Sequence, residues 1–134
     1  MTMKAFATIL AGAALAVCGV SAASAATLAE RGEARLATML EGRTAGEPVN
    51  CISALNSNRI KVIEHVGVVY DAGNTIYVAR STDPKALGAW DVPIFERFGS
   101  QLCTTDIIRT VDRSSGFPTG VVFLNDFVPY TKAG

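Results

Sequence analysis

The chain has 134 residues, of which twelve are Lys or Arg, twelve are Asp or Glu, and one is His. So even a charge balance supplies no electrostatic footprint for nucleic acid or anionic lipid, and the length admits one domain around a single core. The mean hydropathy of +0.30 is inflated by the first residues.

Those residues read MTMKAFATILAGAALAVCGVSAASAA. Lys4 precedes an uncharged apolar run from Ala5 to about Val20, and Ala23-Ser24-Ala25 then fits the A-x-A cleavage site of a secretory signal peptide. The order of charge, apolar run and small residues predicts a leader over 1–25 and a periplasmic or secreted product. The uncharged stretch approaches membrane-spanning length, but it is mostly Ala, Gly and Ser and no basic stop-transfer cluster follows, so no transmembrane segment is expected after processing. Lipidation at Cys18 is the lesser alternative, because bulky Val17 stands where an acylation site has a small residue. Removing the leader leaves about 109 residues (134 − 25), slightly acidic once Lys4 is lost.

Thr27-Leu28-Ala29-Glu30 has the form of a capping box. Leu28, Leu36, Met39 and Leu40 recur at helical spacing, and Gly42 can end the helix in the left-handed conformation. A helix is predicted from about Leu28 to Glu41, its role packing or tethering. The turn formers of Thr44–Asn50 read as a linker, so residues 26–50 form helix and linker and 51–134 the β domain.

Beyond Cys51 the period shortens. Arg59–Glu64 alternates in part at period two, Val68-Val69-Tyr70 leads into a turn at Asp71-Ala72-Gly73-Asn74, and Thr75–Ala79 reads as the return strand of a hairpin. Ile76 and Val78 share one face there, with Tyr77 on the other. Asp83-Pro84 opens one short helical turn in an irregular stretch, with Ser81 or Thr82 as its cap. Ile94–Phe98 and Asp106–Val111 are further strands, the latter with Ile107, Ile108 and Val111 available for burial. After a turn at Ser114–Gly120, the apolar run Val121-Val122-Phe123-Leu124 suits a central strand covered on both faces. The predicted class is mainly β: a small antiparallel sheet or barrel with one N-terminal helix packed across it.

Two cysteines survive cleavage, Cys51 and Cys103. In an oxidising compartment an even count favours a disulfide. A redox pair needs a C-x-x-C turn, whereas these lie some fifty residues apart. A cysteine nucleophile needs a base, and His65 is the one histidine. A thiolate metal site needs more ligands than the mature chain offers.

Cys51-Ile52-Ser53, the hairpin VVYDAGNTIYVAR, the segment SQLCTTDII and the ending Gly120–Pro129 together resemble a family of small exported bacterial proteins of unknown function. Its pattern runs CI, C-x-x-L, L-C-x-x-D and G-x-x-C-x-L-G-x-F, and the likeness covers about Cys51 to Tyr130. Pro84 and Val122 stand where the pattern has its other two cysteines, and Asn125 replaces a glycine. Joint loss of two cysteines is what a mutual pair predicts, leaving Cys51 with Cys103. The resemblance implies an exported, stapled fold and no substrate, cofactor or catalytic residue.

Candidate chemistry is sparse. His65 can serve as base or ligand, but no ligand motif surrounds it and a polar turn side chain is the commoner role. Asp106 and Asp112, six apart on an extended strand, stand about 20 Å from each other, beyond the roughly 5–9.5 Å of a glycosidase pair; Glu64 or Glu96 from other strands remain as partners. Asp106 is expected to bond nearby backbone amides. Arg109 and Arg113 share a strand with acids and make no nucleic-acid stripe. Tyr77 and Trp90 are the first candidates to line a binding groove, against a default of core packing. No P-loop, G-x-G-x-x-G, G-x-S-x-G or H-E-x-x-H occurs. The expectation is a non-catalytic binding or structural module of the bacterial envelope that meets a protein or envelope component, without cofactor, metal or catalytic residue. The alternatives are a small periplasmic hydrolase using carboxylates from separate strands, and a small-ligand carrier.

Overall fold

Helix α1 spans Leu28–Met39 in the computed structural model, whose described residues are 26–97 and 99–133. The expected leader, with Lys4, Cys18 and the cleavage motif, lies outside them, as do Phe98 and Gly134. The capping box is present. The Glu30 amide donates to Thr27 Oγ1 at 3.1 Å, and the Thr27 amide donates to Glu30 Oε2 at 3.4 Å, so two free donors of the first turn find partners. Leu40 caps the far end, and Gly42 follows at φ 71°.

Among the described residues ten strands follow: β1 Arg43–Ala45, β2 Cys51–Ser53, β3 Ile60–Ile63, β4 Gly67–Asp71 and β5 Thr75–Arg80, then β6 Asp91–Glu96, β7 Gln101–Cys103, β8 Ile107–Asp112, β9 Pro118–Val122 and β10 Val128–Lys132. They form a five-stranded antiparallel sheet of order β1-β10-β5-β4-β3, a three-stranded sheet β6-β8-β9 and a ribbon β2-β7. Among the described residues no barrel closes, because β1 and β3 end the large sheet as separate edges. The stretch expected as a linker contributes β1, which pairs with β10 from the far end of the chain, and Val49 bridges Phe127. A long-range partner outweighs the turn-forming composition there. The 3-10 turn Pro84–Ala86 is capped by Asp83, whose Oδ1 accepts the Lys85 amide, rather than by Ser81 or Thr82.

The large sheet is covered on both faces. One carries Ile63, Val69, Ile76 and Val78 against Leu36 of α1, with Met39, Leu40 and Tyr130 at the margin. The other carries Val68, Tyr70 and Ala79 against Ile52, Leu102, Ile108 and Val122 from the smaller sheets and Leu124 and Phe127 from the segment between β9 and β10. Alternation along β4 and β5 supplies both cores, and burial on two sides explains why the middle of β4 is apolar without interruption. Gly32 lets the helix sit close: a Cβ there would meet Val66 Cγ2 at 2.7 Å and the Glu64 carbonyl at 2.8 Å.

Cys51 and Cys103 are bonded. They stand opposite each other in the β2-β7 ribbon with Cα atoms 4.0 Å apart. The Thr104 amide bonds the Asn50 carbonyl one position along, so the cysteines occupy a non-hydrogen-bonded pair, where facing side chains are closest. The bond anchors the neighbouring pair Ile52↔Leu102, both buried in the inter-sheet core.

Candidate functional site

The three-stranded sheet turns one face inward, and among the described residues no element covers the other. Register places Phe95 opposite Ile108 and Ile108 opposite Val122, and these face the core. The intervening positions pair Ile94 with Arg109, Glu96 with Ile107 and Arg109 with Val121, so alternation turns them outward. A register shift between Thr110 and Val111 interrupts the β8-β9 ladder. Thr119 Oγ1 there lies 2.8 Å from Thr110 Oγ1 and 2.9 Å from Asp91 Oδ1. That polar cluster satisfies the buried Thr110 hydroxyl and fixes how β9 lies on β8.

Four of the outward side chains are large, apolar and exposed: Ile94 is 45 % accessible, Ile107 50 %, Val121 44 % and Phe123 65 %. Phe123 follows directly on β9, and its carbonyl accepts the Thr82 amide at 2.9 Å, so its backbone is held while its ring stands in solvent. These side chains line an open trough of about 750 Å³. Two charged residues share it: Arg109 Nε lies 3.4 Å from Glu96 Oε1, with both side chains about half exposed. An exposed pair of this kind contributes roughly 0–1 kcal/mol, so its importance lies in the charge it presents.

The expected site residues do not gather there. Tyr77 is half-buried and packs against the inter-sheet core. Trp90 is 68 % accessible just before β6, its carbonyl accepting the Arg113 amide at 2.8 Å. Neither lines the trough. Cys51 and Cys103 are committed to their disulfide.

The carboxylates are spread over different tasks. Asp106 Oδ2 accepts the Cys103 amide at 2.7 Å, the backbone role expected for it. Asp112 Oδ1 accepts from the amides and hydroxyls of Ser114 and Ser115 between 2.6 and 3.1 Å. Those bonds, led by the Ser114 hydroxyl, lower its pKa to about 2. Glu64 lines a separate hollow beside α1 with Arg31 and Arg35. Glu96 and Asp106 do line one open concavity, of about 460 Å³, with Arg97 and Thr105, but Glu96 pairs with Arg109 and Asp106 with an amide. His65 occupies the turn between β3 and β4 at φ 58°, and its amide donates to the Leu87 carbonyl at 2.9 Å. Among the described residues no three His, Cys, Asp or Glu side chains converge as metal ligands.

Sequence reasoning passed over Ile94, Ile107, Val121 and Phe123. The signal was present: Ile107 and Ile108 are adjacent in one strand and cannot share a face. The run Val121–Leu124 belongs to an edge strand and its exit, rather than to a central strand covered on both sides. Among the described residues no helix is long and apolar enough to cross a membrane. No protein-family model, curated protein or solved structure matches the chain.

Proposed function

We infer that the protein is an exported, non-catalytic binding module of the bacterial envelope, and that it works through the outer face of β6-β8-β9. The observation carrying this reading is the cluster of four large apolar side chains exposed on that one sheet face. Isolated exposed apolar residues are ordinary, whereas a contiguous patch flanked by charge marks an interaction surface. Export is supported by the leader sequence and by the Cys51–Cys103 bond, which persists in oxidising compartments. Kinship with the small exported proteins sharing the CI … L-C-x-x-D pattern is supported by the same bond. It is supported further by contact between the Pro84–Ala86 turn and β9, the two elements carrying the positions where that pattern has its other cysteines.

Photo-crosslinking side chains placed at Ile94, Ile107 and Val121 in the exporting cell test the face. Adducts to protein are expected from these positions and none from Arg35 on α1. Equal labelling from both regions, or none from the sheet face, overturns the assignment. Recovery of a small molecule in native mass spectra, with no protein adduct, would favour the carrier. A turnover lost in Glu96→Gln and Asp106→Asn would favour the hydrolase. Intact mass should show residues 1–25 removed and two hydrogens missing from the cysteines.

A further inference from the structure

We propose that the partner of this face is a second copy of the same chain, packed sheet against sheet about a two-fold axis. The inference rests on the reading that the outer face of β6-β8-β9 is the docking surface. An isologous interface brings a patch against itself, so any charge within it must find its complement within the same patch. The trough satisfies that condition: its charged residues are Arg109 and Glu96, one of each sign, 3.4 Å apart. A two-fold axis passing beside this pair sets Arg109 of each copy against Glu96 of the other, giving four charges of alternating sign. A patch with one unbalanced charge would repel its own image.

Two further features fit. The mature chain carries eleven basic residues (twelve less Lys4) and twelve acidic ones, a net of −1, so copies approach without appreciable long-range repulsion. Pro93, within edge strand β6, removes a backbone donor and opposes extension of the sheet through that edge. Contact through the face is then favoured over contact through the edge. Aligned sheets would pack about 10 Å apart, with Ile94, Ile107, Val121 and Phe123 of both copies interdigitating.

The face is small. Three strands of five or six residues present a rectangle of roughly 14 Å by 20 Å, well short of the ~800 Å² per partner of a standard stable interface. The dimer should therefore be reversible, with a dissociation constant in the micromolar range or weaker.

Sedimentation velocity of the oxidised mature protein from about 1 µM to about 1 mM should show a monomer converting to a dimer with concentration. Arg109→Glu makes the face doubly acidic and Glu96→Arg makes it doubly basic; each should self-associate at least about tenfold more weakly. Mixed in equal amounts, the two variants should recover association at wild-type strength or better. A folding defect cannot produce that recovery, and circular dichroism with intact-mass measurement confirms that each variant is folded and oxidised. A wild-type chain that stays monomeric at the highest concentration overturns the proposal. So do variants that dimerise unchanged, or a mixture that recovers nothing. Cross-linked adducts to a different protein, together with a monomeric chain, would sink the self-association while leaving the docking face standing; no adduct and no dimer would sink both.

Discussion

Replacing Cys51 and Cys103 together by serine removes the covalent link between β2 and β7 and should cost about 4 kcal/mol. The two residues are separated by 52 positions in sequence, and closing a loop of that length in the unfolded chain costs about 14 cal/mol/K of entropy, or about 4 kcal/mol at room temperature. Folding then has to bring the ribbon together without help. Each of its strands is three residues long, and a two-strand ribbon is marginal on its own in water. Ile52 and Leu102 still have buried sites to fill, so the ribbon should form once the domain folds. Against a total of about 5–15 kcal/mol for a domain of this size, the variant should remain folded at room temperature but with a much lower denaturant midpoint. Urea unfolding of the double variant beside the oxidised parent, followed by circular dichroism, reads the difference directly. A loss under about 1 kcal/mol would contradict the argument, since it would mean that the loop ends are already held together in the unfolded chain. A double variant unable to fold at all would show that the bond does more than close a loop.

Other outcomes can be stated from the same geometry. Gly32→Ala should lower stability by roughly 1–3 kcal/mol in thermal or urea melts, since the added methyl meets the Glu64 carbonyl and Val66 at contact distances below 3 Å. His65→Asn should be nearly neutral and His65→Val destabilising by about 1–2 kcal/mol, because φ is 58° there and a β-branched side chain resists that conformation. The Asp112 carboxylate should titrate near 2 in carbon-detected NMR, against an ordinary 3.8. Its folded pKa is depressed, so its contribution is present above pH 3.8 and is lost as pH falls toward 2. Ser114→Ala should move that midpoint upward, and an unmoved midpoint would show that the hydroxyl is not its cause.

Much of the architecture was legible along the chain. The capping box at Thr27 and Glu30, the apolar spacing to Leu40 and Gly42 placed α1 to within about two residues, because helix signals are local in sequence. The hairpin around Asp71–Asn74 was equally clear. The strands that escaped notice were β1, β2 and β7, each of three residues and too short to show a period, and β10, whose five residues include Pro129. They exist because distant segments pair with them. The candidate site escaped for a related reason. Composition identifies Ile107, Val121 and Phe123 as apolar, but burial depends on whether another layer lies over that side of the strand.

The near-neutral charge, the helix, the central hairpin and, from the two cysteines that lie beyond the expected leader, the staple were all readable in the chain, since each follows from local pattern or simple number. Three-dimensional packing alone settles that, among the described residues, the sheets stay open, residues 43–45 join β10 and the outer face of β6-β8-β9 is left uncovered. The physical reason is that alternation along a strand tells which residues share a side, while the chain's long-range packing decides which side receives a neighbour.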